Sequence, residues 1–149
     1  MTAVANAQTY ALVFFLFPRS YVTAVHSDRP GVFEALAPPA PPPPPVRPAQ
    51  TGETVQIFGT GFGPTCPAID PGQLAFRPAQ LRELGKLRVT IGGMPARVAF
   101  AGLLGPGLYE LNVTIPEGLR PDDHEIVARI GGTQTPPGTM ISVGGPPAR

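Results

Sequence analysis

A run of prolines divides this chain, because no single helix or strand can continue through it. Residues 37–50 read A-P-P-A-P-P-P-P-P-V-R-P-A-Q, with five consecutive prolines inside. Proline fixes φ and donates no backbone hydrogen bond, so neither a helix nor the interior of a sheet continues through such a run. Consecutive prolines favour an extended polyproline II chain of about 3.1 Å per residue. We therefore predict a polyproline II linker over 37–50, spanning on the order of 40 Å, as the domain boundary.

Residues 51–145, which follow this linker, alternate apolar and polar positions between turn-forming residues. Within the predicted strand 108–115, the apolar side chains at odd positions from Tyr109 onwards alternate with the polar Glu110, Asn112 and Thr114. Residues 87–91 also alternate and run into Gly92 and Gly93, which predicts a hairpin with 97–101. Further strands are predicted at the ranges 54–58, 125–130 and 140–143, and one short helix at 78–85. Several short strands separated by turn signals predict an all-β sandwich with antiparallel sheets.

Residues 1–36 are too few to form a sandwich of about 100 residues. Their most apolar run, A-L-V-F-F-L-F at 11–17, is too short to span a bilayer, since a spanning helix takes about 20 residues. No basic residue precedes the run, which argues against a signal peptide. We interpret it as a buried strand. If residues 1–36 are a fragment of a larger module, this strand has lost its sheet, which predicts self-association of the full chain through residues 11–17.

The composition excludes several classes of partner and site. Only 14% of the residues are charged and the formal net charge is +1. The sequence therefore does not favour electrostatic attraction to nucleic acid or to a membrane surface. The chain has no tryptophan and three tyrosines, which gives few platforms for stacking nucleic-acid bases. Cys66 is the single cysteine, so an intrachain disulfide is excluded and a thiolate metal cluster is not indicated.

Three glycines follow the first predicted strand of the second region, in F-G-T-G-F-G-P at 58–64. A dinucleotide fingerprint needs G-x-G-x-x-G to leave a strand and open a helix, whose N-terminal amides hold the phosphates. Here the third glycine comes too early, and Pro64 and further prolines follow in place of helix-forming residues. We interpret this stretch as a structural turn and predict no cofactor.

Four ordered blocks resemble one bacterial domain family. They are G-E-T-V-Q-I-F-G-T-G-F-G-P-T (52–65), V-T-I-G-G-M-P-A-R-V-A-F-A-G-L (89–103), P-G-L-Y-E-L-N-V-T-I-P (106–116), and I-V-A-R-I-G-G-T-Q-T (126–135) with I-S-V-G-G (141–145). Their order is similar to that of the Solibacter-type C-terminal domain family, a set of immunoglobulin-like modules of the IPT/TIG kind. The resemblance implies an immunoglobulin-like antiparallel β-sandwich over 51–145, followed by a tail at 146–149. It also implies that residues 1–36 are the remnant tail of a preceding β module, and that the protein is extracellular or on the cell surface.

Side chains for catalysis are scarce. His26 and His124 are the only histidines; His26 precedes the linker and His124 falls in a predicted charged turn, so no Ser/His/acid combination is indicated. Asp122, Asp123 and Glu125 offer the oxygens that a hard cation prefers, but the D-x-D-x-D-G calcium loop is absent. We predict no catalytic, cofactor-binding or metal residues, and cation binding by this acidic run stays open.

These observations favour a non-enzymatic function. We expect an accessory module of an exported or cell-surface bacterial protein that acts in protein contact, in adhesion or as a structural spacer, with a protein or surface of unknown identity as partner. The alternative is a carbohydrate-binding accessory domain of a secreted polysaccharide-degrading enzyme, which would need exposed aromatics in a row. Phe100 and Tyr109 instead fall on strand faces where core burial is expected. The predicted long loops, 59–86 and 117–124, are the candidate binding surfaces.

Overall fold

The protein is built almost entirely from β-strands in the residues that its structure describes. A computed structural model describes residues 12–16, 20–27, 35–36, 46–70 and 78–144. The strands in these residues are, in chain order, β1 (Val13–Phe14), β2 (Ala24–His26), β3 (Ala35–Leu36), β4 (Val46–Arg47), β5 (Thr54–Thr60), β6 (Thr65–Cys66), β7 (Ala79–Leu81), β8 (Arg88–Ile91), β9 (Met94–Gly105), β10 (Leu108–Thr114), β11 (Asp122–Ile130), β12 (Thr133–Gln134) and β13 (Met140–Val143). Between β7 and β8 lies one turn of 3₁₀ helix, Leu84–Lys86. The predicted all-β fold class is confirmed.

Two layers of mainly antiparallel strands enclose one apolar core. In the first layer β10 pairs with β5 on one side and with the second half of β9 on the other. In the second layer β8 pairs with the first half of β9 and with β11, and β11 also pairs with β13. Because β9 belongs to both layers, it joins them. The fully buried side chains of the core, at 0% exposure, include Val55, Ile57, Ile91, Leu111, Val113, Ile115, Ile126 and Ile141.

The alternation predicted for residues 108–115 is present in β10. Leu111 and Val113 are completely buried, while Asn112 and Thr114 are half-buried on the opposite face. Successive side chains of a strand point to opposite faces, so this pattern directs one face of β10 into the core. Gly92 and Gly93 form the predicted hairpin turn, both with positive φ, and the second strand of that hairpin, β9, is longer than the predicted 97–101.

The apolar run near the N-terminus belongs to this sandwich. β1 pairs with β5 through Val13 opposite Thr60, and β2 pairs with the same edge of β5. Leu12 is 2% exposed and Phe14 is 5% exposed, in the same core cluster as β5 and β10. The prediction that this run lacks a sheet is therefore wrong for residues 12–16. The edge of β5 that faces away from β10 carries backbone groups that need partners, and this segment supplies them.

The predicted linker is described only at its ends. Residues 37–45 lie outside the described part of the chain, as do 1–11, 17–19, 28–34, 71–77 and the predicted tail 146–149. β3 and β4, on either side of the proline run, form a short parallel pair with Ala35 opposite Val46, so these two strands lie about 4.8 Å apart. The domain division at 37–50 stays a prediction, although described residues from both sides of it share one core.

Two local predictions are wrong. The short helix predicted at 78–85 is replaced by β7, which pairs with β6 and β9, and only the last residues of the range enter the 3₁₀ helix. Ala79 and Leu81 are buried around exposed Gln80, and this period of two suits a sheet, so tertiary pairing overrides local helix preference. The predicted charged turn around His124 is instead the start of β11, because the backbone of residues 122–125 pairs with β13 there.

Two segments from the first half of the chain run parallel to β13. Tyr21 bridges to Met140 and Ala49 bridges to Val143, both in parallel orientation. The backbone of Val22 donates to the carbonyl of Met140 at 2.9 Å, and that of Gly144 donates to Ala49 at 2.7 Å. The edge of β13 that faces away from β11 is thus covered by residues on both sides of the proline run.

Candidate functional site

An open cleft of about 520 Å³ lies beside the 3₁₀ helix. One wall comes from residues 80–89 and the other from Pro95, Ala96 and Val98 of β9. Leu81, Leu87 and Val89 form its apolar floor, at 3%, 4% and 2% exposure respectively. The cleft exists because β7 and β8 approach the two halves of β9, and the 3₁₀ turn carries the chain between them.

Two arginines give the cleft a positive rim. Arg82 and Arg88 both line it and both are exposed. Nη1 of Arg88 donates to the carbonyls of Gly85 at 2.7 Å and Leu87 at 3.0 Å, which holds this guanidinium at the rim. No carboxylate is among the lining residues. An apolar floor with guanidinium groups above it suits a ligand that combines an apolar group with a carboxylate.

The remaining charges near the cleft compensate each other. Nζ of Lys86 donates to Oε1 of Glu83 at 2.8 Å, three residues earlier. This hydrogen bond and the positive charge of Lys86 lower the pKa of the Glu83 carboxyl, and the charge of Arg82 acts in the same direction. Since Lys86 and Glu83 form a pair, the net positive charge around the cleft, among the residues that the structure describes, comes from the two arginines.

The sequence located only part of this cleft. The candidate loop 59–86 contributes residues 80–86, although β6, β7 and the 3₁₀ helix occupy much of its described part. The other candidate loop, 117–124, is shorter than predicted because β11 begins at Asp122. Sequence reasoning missed Arg88 and Val98, which lie on strands; their alternation signalled a sheet face but gave no sign that the two strands flank an opening.

The glycine-rich stretch begins inside β5, which contains Gly59, and continues as irregular backbone whose Phe62 packs in the core. Phe62 is 2% exposed, and its ring lies 5.9 Å from that of Phe14 and 5.7 Å from that of Tyr109, measured between centroids. The hydroxyl of Tyr109 donates to the carbonyl of Gly63 at 2.7 Å. A Cβ on Gly59 would lie 2.6 Å from the carbonyl oxygen of Val13, so glycine is needed there for β1 to approach.

His26 forms a buried pair with Glu53. Nδ1 of His26 contacts Oε1 of Glu53, and the side chains are 1% and 9% exposed respectively. The backbone of Gln50 donates to Oε2 of the same carboxylate at 2.9 Å, and the hydroxyl of Ser27 donates to the carbonyl of Thr54. These contacts join the end of β2 to the turn that precedes β5. Sequence reasoning did not identify this pairing, because the proline run lies between the two residues.

The acidic run is divided between the two faces of β11. Alternation places Asp123 and Glu125 on one face and Asp122 and His124 on the other. The hydroxyl of Tyr21 donates to Oδ2 of Asp123 at 2.5 Å, and this hydrogen bond, with burial and the negative charge of Asp123, raises the pKa of Tyr21. In the described residues, no group of three or more His, Cys, Asp or Glu side chains is arranged to hold a metal ion.

A buried carboxyl lies on the outer face of β10. Glu110, 9% exposed, pairs across the sheet with Phe58 and with Gly102, where the ring of Phe100 reaches within 2.7 Å of an ideal Cβ position. Burial raises the pKa of Glu110, against a smaller opposite effect of its hydrogen bond with Gln56. The outer face of β10 is therefore less exposed to solvent at Glu110 than the alternation predicted.

Comparison with known proteins identified no relative of this chain. No protein-family model, no curated protein and no solved structure matches this chain. The described residues contain no helix that is long and apolar enough to cross a bilayer. The resemblance to the Solibacter-type domain family therefore stays a prediction that rests on the four sequence blocks.

Proposed function

We propose that this chain is a non-enzymatic, immunoglobulin-like accessory module of an exported or cell-surface bacterial protein, and that it acts by contacting another protein. The observation that carries the proposal is the cleft beside the 3₁₀ helix, with its apolar floor and the two arginines at its rim. The location of the protein rests on the family resemblance. A packed β-sandwich that presents such a cleft resembles a recognition surface more than a reaction centre.

The chemistry of the cleft indicates the kind of segment that it would bind. Arginine and apolar pockets are enriched at the centres of protein interfaces, where a partner side chain is anchored and desolvated. The floor of Leu81, Leu87 and Val89 would hold an aliphatic or aromatic side chain. Arg82 and Arg88 would pair with flanking carboxylates, with bidentate hydrogen bonds where the geometry allows. The proposed ligand is an exposed protein segment with one apolar anchor between acidic residues.

A titration followed by NMR tests this proposal. We expect the acidic peptide acetyl-Asp-Leu-Phe-Asp-amide to shift the amide signals of residues 80–89 and 95–98, and the peptide acetyl-Lys-Leu-Phe-Lys-amide to leave them in place. Arg82→Ala with Arg88→Ala should abolish the shifts. Arg129→Ala is the matched control, because Arg129 is exposed on β11 and is bound to Oε1 of Gln134. Absence of shifts, or equal shifts with both peptides, would contradict the proposal.

The carbohydrate-binding alternative has less support. Phe100 is half-buried beside Gly102, and Tyr109 packs against the core. Among the described residues the exposed large apolar side chains are Phe15, Leu16 and Met94, which form no aromatic row. Retention of the chain on insoluble cellulose, chitin or xylan would favour this alternative over protein contact.

A further inference from the structure

We infer that the outer face of the first layer binds a lysine side chain of a partner protein, with the ammonium group held by Glu110 and Asn112 and the carbon stem lying between phenylalanine side chains. This inference goes beyond the proposed function, because the surface is a sheet face rather than the cleft and because it attracts the opposite charge. The side chains that form this surface, here called the Glu110 face, belong to Phe15, Gln56, Phe58, Phe100, Glu110 and Asn112.

Pairing between β5 and β10 places the polar side chains of the Glu110 face side by side. Phe58 lies opposite Glu110, and Gln56 lies opposite Asn112. Residues that lie opposite each other in an antiparallel pair point to the same face, with their Cβ atoms about 4.5–5.5 Å apart. This face is the one that points away from the core, because the intervening Leu111 is completely buried on the other side of β10.

Aromatic side chains lie on both sides of Glu110. The amide of Phe15 donates to the carbonyl of Phe58 at 3.0 Å, so Phe15 continues the line that runs from Glu110 through Phe58 towards the N-terminal segment. On the other side, Gly102 lies opposite Glu110, and the ring of Phe100 reaches within 2.7 Å of an ideal Cβ position on this glycine. Phe58 and Phe100 are half-buried and Phe15 is 39% exposed, so each of them remains accessible to a partner.

The oxygen atoms of this face lack a positive partner among the residues that the structure describes. Glu110 is 9% exposed, is hydrogen-bonded with Gln56 and takes part in none of the described ion pairs. Burial raises the pKa of its carboxyl, as expected for a carboxylate that no cation stabilises. Oδ1 of Asn112, two residues along β10, is buried and accepts no hydrogen bond from the described part of the chain. A ligand that brings both donors and positive charge therefore offsets two costs of burial at once.

A lysine side chain fits this arrangement better than an arginine or a metal ion. Its ammonium group has three donors, which oxygens of Glu110 and Asn112 can accept together. The hydrogen bond with Gln56 occupies part of the Glu110 carboxyl, which opposes the bidentate pairing that arginine favours. The carbon stem of lysine packs on apolar surface, and its charge is attracted to aromatic rings. A hydrated metal ion would leave the phenylalanine side chains without an apolar partner.

An NMR titration of the full chain with butylammonium chloride, which reproduces the lysine side chain, tests the inference at neutral pH. We expect the amide signals of residues 56–58, 100–102 and 110–112 to shift. Those of the cleft residues 80–89 should stay in place, because the arginines there repel a cation. Butanol has the same carbon chain without the charge and potassium chloride has the charge without the chain, so neither should reproduce the shifts. Equal shifts with butanol or potassium chloride would overturn the inference, and tighter binding of butylguanidinium would overturn the choice of lysine.

Substitution of the carboxyl separates this site from a general effect of charge. Glu110→Gln keeps the shape of the side chain and removes its charge, so it should weaken butylammonium binding about tenfold or more. The variant should stay folded, because it removes the cost of burying a carboxylate. Glu117→Gln removes a carboxylate at an exposed turn position and should leave the affinity unchanged. Unchanged affinity in Glu110→Gln, or an equal loss in Glu117→Gln, would show that Glu110 does not hold the ammonium group and would overturn the inference.

Discussion

The two edges of β5 are covered by different kinds of partner. On one edge β10 supplies six consecutive pairs, from Thr114 opposite Thr54 to Tyr109 opposite Gly59. On the other edge, β1 pairs with two residues of β5 and β2 pairs with three. Both edges are completed, yet one partner is a regular strand and the other is a pair of short pieces that precede the proline run. A sheet edge can thus be covered by strands of two or three residues each.

The short pieces contribute side chains that are as buried as those of the long strand. Val22 is 1% exposed and Ala24 is 4% exposed, close to the 0% of Leu111 on β10. The contribution of a side chain to stability rises with the apolar area that it buries. We therefore expect the N-terminal edge of β5 to be as necessary for folding as the edge that pairs with β10.

Removing the N-terminal edge should have the largest effect. A protein that begins at Ala49 loses the buried Leu12, Phe14 and Val22, each worth about 1.5–3 kcal/mol, against a total stability of about 5–15 kcal/mol for a typical domain. We expect it to be largely unfolded or aggregated through the open β5 edge, as seen by circular dichroism and light scattering. A monomer that melts cooperatively within a few degrees of the full chain would break the equivalence.

Single substitutions in β1 and directly after it should separate the buried face of this segment from its exposed face. Phe14→Ala should lower the free energy of unfolding by about 3–5 kcal/mol, because it leaves a cavity in the core. Phe15→Ala, one residue later and 39% exposed, should change it by less than about 0.5 kcal/mol. Urea unfolding gives both values. Equal effects of the two substitutions would mean that β1 is not docked as described.

The buried pair of His26 and Glu53 should stabilise the N-terminal edge. A double-mutant cycle with His26→Ala and Glu53→Ala should give a coupling of about 1–3 kcal/mol, because the pair is in contact and shielded from water. The same cycle on the exposed pair of Glu83 and Lys86 should give no measurable coupling. No coupling between His26 and Glu53 would mean that backbone pairing and apolar burial alone attach β2.

The smallest effect concerns Glu110 on the opposite edge. Burial raises its pKa in the folded state, so the folded protein favours the protonated carboxyl. Its contribution to stability is complete below the ordinary glutamate pKa of the unfolded chain, and is lost as the pH rises through the higher folded pKa. Glu110→Gln should therefore raise the Tm relative to the unmodified protein at pH 7, and this gain should shrink towards pH 4.

Melting curves across this pH range measure the difference. Glu117→Gln, at an exposed turn position, controls for loss of one carboxylate from the surface. If Glu110→Gln lowered the Tm at pH 7, the hydrogen bond with Gln56 would outweigh burial, and the outer face of β10 would be a polar contact that stabilises the ionised carboxyl.

Sequence reasoning succeeded where the period of two persists over several residues. It located β8, β10 and β13 and the Gly92–Gly93 hairpin turn, and it gave the fold class, because one buried face leaves a repeated pattern. A pattern cannot repeat within the two residues of β1 or the three of β2. The apolar composition of 11–17 still predicted a strand, but its partner, the edge of β5, lies far along the chain and becomes visible only with the tertiary structure.

The cleft was unpredictable for a related reason. Leu81, Leu87 and Val89 have the alternation of ordinary core residues, and the sequence gives no distance between β7 and β8. Arg88 was visible as the polar member of an alternating strand, but its approach to the carbonyls of Gly85 and Leu87 depends on the 3₁₀ turn. The sequence thus shows which side-chain types are present, but it does not show that these side chains come together around one cleft.

The parallel attachment of the early segments to β13 has a mechanical consequence. Because residues 20–22 and Ala49 run in the same direction as β13, tension applied towards the two ends of the chain slides these segments past each other. The hydrogen bonds of Val22 and Met140 with their partners, and those of Ala49 with Ser142 and Gly144, are then strained together rather than opened one after another. This arrangement should resist pulling more strongly than an antiparallel hairpin of equal length.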